Sequence, residues 1–315
     1  MRTLEIVHRT RYEYAEPVTL NDYRLMFRPR DSHDLRLLHT NLTIDPAAAV
    51  RWIHDPFGNS IAIASFAPDP VRVLELVSTI RLEHFGMGAA LPPIEDYARK
   101  LPFSYLAEEA PDLARYVERH YPDPNARVSS WARQFLDAPG DDAADTANDT
   151  FAVLVRMCQG IQSQLTYAMR FEAGTQPPAV TLESGGGTCR DYALLMMEGA
   201  RALGLAARFI TGYVYDPAHD GAKGEGGSAG SPHAWMEVYL PGAGWMEFDP
   251  TNGIVGSDRL IRVAVARDPE QAMPITGSFV GTAGVAINAI VEVSVRALDP
   301  AKGAPTEVAS AAAGA

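Results

Sequence analysis

The sequence predicts an α+β protein. Three observations carry that prediction: an alternating, strand-like front to about residue 86, short helical segments after it, and a back half that mixes a long helix with strands. In the front, "TLEIVHRTRYEY", "LRLLHTNLTID", "SIAIASFA" and "VRVLELVSTIRLEH" alternate or run apolar, separated by turn chemistry such as "DPFGN". They suit a small sandwich or barrel, bounded at residues 1–88. The prolines of "LPPIEDYARKLPFSYL" then mark a boundary, and "APDLARYVERHY" and "SSWARQFLDA" read as short amphipathic helices, a connector over residues 89–143. A polar break, "APGDDAADTAND", precedes "TFAVLVRMCQGIQSQLTY", whose apolar residues recur at helical spacing and open a core region over residues 144–300. Past Asn252, "LIRVAVARD", "GSFVG" and "INAIVEVSVRAL" are β-like and expected to return to the main sheet. Residues 301–315 have little to pack and are expected to be a disordered tail.

At 315 residues and 47% hydrophobic content the chain is long enough for two domains with cores of their own. A formal net charge of −12 argues against nucleic acid or an anionic membrane as partner, because both are met by a basic face. No signal peptide is read at the charged N-terminus, and no run of about 18 apolar residues is present, so the expectation is a soluble, cytoplasmic protein. Two cysteines, Cys158 and Cys189, are both expected as free thiols. Cys158 falls inside a helical pattern, where a small core residue is the expected reading.

Cys189 stands differently, in "SGGGTCRDYALLMMEGARALG". Thr188 and Asp191 form the T-x-x-D pattern of a capping box, which makes Cys189 the first residue of a helix running to about Leu203 and stopped by Gly204. A thiol there feels the partial positive charge of unpaired N–H groups, and Arg190 adds a full charge, so the thiolate is favoured. Gly185, Gly186 and Gly187 would let a substrate approach the sulfur and allow positive φ angles. A plain glycine turn beside a packing cysteine is the competing reading. A phosphate loop is not expected, since no Lys-Ser/Thr follows the glycines.

A thiolate nucleophile needs a base and an orienting group. "SPHAWMEVYLPGAGWMEFDPTNG" reads as a hairpin whose arms place Ala234, Met236, Val238 and Leu240, with Met246 and Phe248, on an apolar face. His233 and Asp249 then share the opposite face, provided the connection around "PGAG" has three or five residues or a bulge. With three, Asp249 pairs with Trp235 and His233 is its diagonal neighbour at about 7–8 Å. Either register sets Glu237 against a carboxylate with no evident compensation, and Glu237 and Glu247 stay rivals to Asp249 as orienting group.

These segments, with "LTYAMRFEAGTQPPAVTLESG" before them, resemble the core of the bacterial transglutaminase-like proteins. "HRTRYEYAEPV" and "DPFGN" are similar to the N-terminal β domain that accompanies this core, and "VARDPEQAMPITGSFVG" to its closing segment. The resemblance implies a papain-like fold with a cysteine helix packed on an antiparallel sheet. It also implies a thiol hydrolase of peptides or amides with Cys189 as nucleophile, His233 as base and acid, and Asp249 orienting the imidazole. Transamidation of glutamine by an amine acceptor, and a vestigial protein-binding module, are the alternatives. Gln162, Gln164 and Tyr167 are candidates for an oxyanion donor beside the Cys189 N–H, with Arg190 in support; helix-surface or packing roles compete. No cofactor or metal is expected: vertebrate relatives need calcium, but there is no EF-hand loop, and Asp141, Asp142 and Asp145 read as a solvated linker. The glycine-rich residues 218–232 suit a flap; His219 with Asp216 and Asp220 is not read as a metal site. The expected partner is a peptide or protein substrate, with the oligomeric state open.

Overall fold

The computed structural model describes residues 1–85, 93–136, 148–170, 174–217, 232–256 and 259–298. The expected linker aspartates Asp141, Asp142 and Asp145, most of the expected flap with His219 and Asp220, and the tail at 301–315 lie outside them.

Six strands open the chain: β1 (Arg2–Leu20), β2 (Tyr23–Arg28), β3 (Leu35–Asp45), β4 (Ala48–His54), β5 (Ser60–Phe66) and β6 (Val71–His84). Five helices follow, α1 (Ala110–Val117), α2 (Arg127–Arg133), α3 (Thr150–Gln164), α4 (Pro178–Ser184) and α5 (Cys189–Ala202). A short parallel pair, β7 (Thr166–Tyr167) with β8 (Gly186–Gly187), lies between them in sequence. The last part holds β9 (Ala207–Val214), β10 (His233–Leu240), β11 (Gly244–Asp249), β12 (Ile254–Val255), β13 (Leu260–Ala266), β14 (Ile275–Thr276), β15 (Phe279–Val280) and β16 (Ile287–Ala297).

The front is a sandwich. One sheet runs β15–β1–β6–β3, with β16 also on β1, and the other runs β14–β2–β5–β4. Alternation explains it: Tyr14, Val18, Leu25, Phe27, Leu74 and Leu76 point inward and are almost fully buried. A side chain so buried contributes roughly 1.5–3 kcal/mol by leaving water.

The closing strands correct one expectation. Placed by sequence with the core region at 144–300, β14, β15 and β16 instead complete the front sandwich. β16 pairs with β1 from Leu4↔Ala297 to Tyr14↔Ile287, and β14 pairs with β2. Of the three β-like segments after Asn252, only β13 joins the second sheet. The reason is an open edge: β1 pairs with β6 on one side, and β16 satisfies the N–H and C=O groups on its other side.

The second sheet, β12–β11–β10–β9–β13, is antiparallel throughout and packed on both faces. On one side lie the helices, where Ala193, Met196, Met197 and Ala200 of α5 meet Met236, Val238, Met246 and Phe248. On the other, Tyr213, Ile261 and Val263 meet Leu4, Ile6, Ile80 and Leu82 of the sandwich. The "DPFGN" turn also docks here. Asp55 accepts from the N–H of Phe57 and Asn59, and the Asn59 amide bonds both the N–H and the C=O of Val265 at 3.0 and 2.6 Å.

Candidate active site

α5 begins at Cys189 as the sequence predicts, and Gly204 ends it with φ +85°. Asp191 accepts from the Thr188 N–H at 2.8 Å and its hydroxyl at 2.9 Å, so the capping residue is present. It does more than cap. Wholly buried, its carboxylate takes a two-pronged contact from Arg170 (2.8 and 3.0 Å) and the Gln176 N–H at 2.6 Å, tying both to the helix start. Burial opposes its charge, but Arg170 and these N–H groups outweigh it and hold the carboxyl below the ordinary aspartate range. Asp191→Ala is expected to cost about 3–5 kcal/mol by removing the buried carboxylate that Arg170 and the Thr188 and Gln176 N–H groups share, measured by urea unfolding at pH 7. The contribution is present above the ordinary aspartate value and is lost as pH falls through the lowered one.

The chain itself requires the three glycines. Gly185 holds φ +69° after α4. A Cβ on Gly186 would lie 2.6 Å from the Thr166 carbonyl oxygen, and one on Gly187 would lie 2.8 Å from Asp191 Cβ. Close packing of β8 against β7 and α5 therefore sets the sulfur's position.

β10 and β11 take the three-residue connection: Leu240 faces Gly244 across Pro241, Gly242 and Ala243, and Met236 faces Phe248. His233 and Asp249 fall on one face, and His233 Nε2 meets Asp249 Oδ2 at 2.9 Å, both side chains buried. The His233 imidazole and the Ala234 N–H in turn stabilise negative charge on the Cys189 sulfur. Cys189 as a residue is partly buried, and unlike Cys158 it is not sealed in the core.

Charge follows this geometry. Burial disfavours the imidazolium, but the charge and hydrogen bond of Asp249, and then Cys189, push His233 up to about 10. Burial likewise opposes the thiolate, and His233, the Ala234 N–H and Arg190 together bring Cys189 below its ordinary value. Cys158 is the opposite case: sealed in the core against the Ile254 carbonyl, it is pushed up by burial.

The supporting candidates separate. Tyr167 is half-exposed and its hydroxyl hydrogen-bonds Cys189; burial of the hydroxyl first, then the sulfur's charge, pushes it up to about 12. Gln164 is exposed at the end of α3, where its amide lies beside Gly160. Gln162 packs its amide against Gly253, next to the turn that follows Asp249. Arg190 bonds the Pro269 carbonyl at 2.9 Å and lies over the Phe209 ring, so it reaches the sulfur by charge alone.

The rivals Glu237 and Glu247 belong to another network. They do face each other, and the missing compensation is a pair of arginines. Arg208 and Arg262 bond Glu237 at 2.5 and 3.0 Å, and Arg262 lies 3.6 Å from Glu247. Burial, then Glu237, pushes Glu247 up to about 8. Glu247 also accepts from Trp235 Nε1 at 3.2 Å, and that indole stacks beside His233 at 6.0 Å between ring centres. Sequence reasoning also missed Asn252, whose Nδ2 donates to Asp249 Oδ2 at 2.7 Å and lies 3.4 Å from His233 Nε2. The N–H groups of Thr251 and Asn252 close on Asp249 Oδ1. An Asp with an Asn three residues on, in the turn "DPTNG", is the signal that marks this clasp.

Residues 139–250 match the core of the transglutaminase-like superfamily, and residues 4–83 match the bacterial transglutaminase-like N-terminal region. An uncharacterized protein of Mycobacterium tuberculosis is 29% identical over 307 residues, spanning 92% of this chain and 90% of its own. One of Mycobacterium leprae is 24% identical over 300 residues, spanning 93% and 99%. Among solved structures, a candidate cysteine protease of Cytophaga hutchinsonii is similar in fold, with TM-score 0.67 at 17% identity over 95% of this chain and 91% of that one.

Proposed function

Because this chain belongs to the transglutaminase-like proteins, with both their core and their bacterial N-terminal region, we propose that it is a thiol enzyme that hydrolyses amide bonds of peptides or glutamine-type side chains. One observation carries the reading: the thiol at a helix start has its charge stabilised by an imidazole that is itself clasped by a buried carboxylate. The Cys189 thiolate attacks the amide carbonyl carbon, forming a C–S bond, and the oxyanion is met by the Cys189 N–H with the Tyr167 hydroxyl as second donor. As the C–N bond breaks, the His233 imidazolium gives its proton to the departing amine. His233, now neutral, takes a proton from water as the resulting hydroxide adds to the thioester; the C–S bond breaks, releasing the acid and restoring the thiolate beside the imidazolium.

The test pairs a glutamine-bearing protein and a peptide mixture with labelled cadaverine. Ammonia or new peptide ends without amine incorporation are expected. Incorporation outpacing hydrolysis would assign transamidation, and neither product across a broad panel would favour a binding module.

The charge state gives a second check. With the thiol lowered and the imidazole raised to about 10, the thiolate is favoured to lower pH than in an ordinary cysteine. The rate of Cys189 alkylation by iodoacetamide is expected to fall less from pH 8 to 6 than that of an ordinary thiol of pKa about 8.5, which slows by roughly 80-fold. A profile like that of a free thiol would remove the ion pair from the mechanism.

A further inference from the structure

The front sandwich is not closed. At one side, where the edge strands β3 and β4 face each other, a cavity of about 300 Å³ opens between the sheets. Ala48, Val50 and Trp52 of β4 share one face by strand alternation, and Ala48 packs on the sandwich core. Val50 and Trp52 should therefore be covered, yet they are 41% and 49% exposed. They line the cavity with Phe27 and Leu42 on its apolar side, while Thr40, Asn41 and Ser78 give it a polar side.

One cation stands at its mouth. A bulge in β2 between Leu25 and Arg28 brings Phe27 and Arg28 to the same cavity. The Arg28 guanidinium lies 5.9 Å from the centre of the Trp52 ring and donates to the Thr40 hydroxyl across the gap. No carboxylate pairs with it among the described residues, in a chain whose net charge is −12. A hollow of this volume, apolar on one side and with a fork-shaped donor at its rim that no carboxylate meets among the described residues, is complementary to an apolar group that carries a carboxylate.

We propose that the N-terminal domain carries a second binding site, independent of Cys189, for the C-terminal residue of a peptide. Its apolar side chain fills the hollow against Trp52, and its terminal carboxylate pairs with Arg28. A peptide is favoured over a small acid because both rims are edge strands. β3 pairs only with β6 and β4 only with β5 among the described residues, so the main chain leading to the carboxylate finds free N–H and C=O groups on either side.

The experiment uses the full chain with Cys189→Ala, so that no turnover occurs and failure of the catalytic reading leaves the result intact. Acetyl-Ala-Ala-Leu as free acid, the same peptide as its amide, and acetyl-leucine are titrated while tryptophan emission is followed. Trp52 is the half-exposed indole at the hollow, whereas Trp235 is wholly buried. The free acid is expected to bind at least tenfold tighter than the amide and than acetyl-leucine, with the emission change lost in Trp52→Phe. Arg28→Gln is expected to erase the preference for acid over amide. Equal binding of acid and amide, a signal that survives in Trp52→Phe, or no binding at all would overturn the site. Acetyl-leucine binding as tightly as the peptide would overturn the peptide assignment.

Discussion

Replacing Cys189 by alanine is expected to abolish both amide hydrolysis and iodoacetamide labelling of the native protein, while leaving the fold in place. With the sulfur as the proposed nucleophile, the loss in kcat should be on the order of 10⁴-fold or more. Stability should move by less than about 1 kcal/mol, because the residue is only partly buried and small. Cys158 serves as an internal control: wholly buried and pushed up by burial, it should stay unlabelled until the chain unfolds. Mass spectrometry of the alkylated native protein decides the matter. Labelling that persists in the alanine variant and maps to Cys158 would defeat the assignment of the nucleophile.

Asp249→Asn has the next largest expected effect, and it tests the charge rather than the shape of the site. The amide can still accept from His233 and keep the hydrogen-bonded geometry, but the buried negative charge that holds the imidazole up near 10 is gone. Burial then dominates, the imidazole becomes neutral at pH 7, and the thiolate loses its counter-charge. A drop in kcat on the order of 10³-fold is expected, somewhat less than the loss for the same change in serine enzymes because a thiol ionises more readily. The alkylation profile should also move: its acid limb is expected at higher pH than in the native protein. An unchanged profile with full activity would return Asp249 to a structural role and reopen the case for Glu237 and Glu247.

The structure already weighs against those two. Glu237 and Glu247 occupy the same sheet face as Asp249, but Arg208 and Arg262 hold them, and only the Trp235 indole relates them to His233. No spacing rule could have brought Arg208, Arg262 and Glu237 together, because the arginines lie on β9 and β13, and neighbouring strands in a sheet need not be neighbours in sequence.

Local chemistry was legible without coordinates. The cap at Thr188 and Asp191, the start of α5 at Cys189, its stop at Gly204 and the burial of Cys158 all follow from interactions within a few residues. The shared face of His233 and Asp249 was also legible as a condition, since alternation has a period of two and only certain connections satisfy it. Tertiary structure chose among the allowed answers. It selected the three-residue turn, made Asp191 an anchor for Arg170 and Gln176, set Gly186 and Gly187 against the chain's own atoms, and sent β14, β15 and β16 back to the front sandwich. The division has a physical cause. Capping and alternation are short-range and repeat along the polymer, whereas the partner of an open strand edge or a buried charge is whatever group the packed chain brings within a few ångströms.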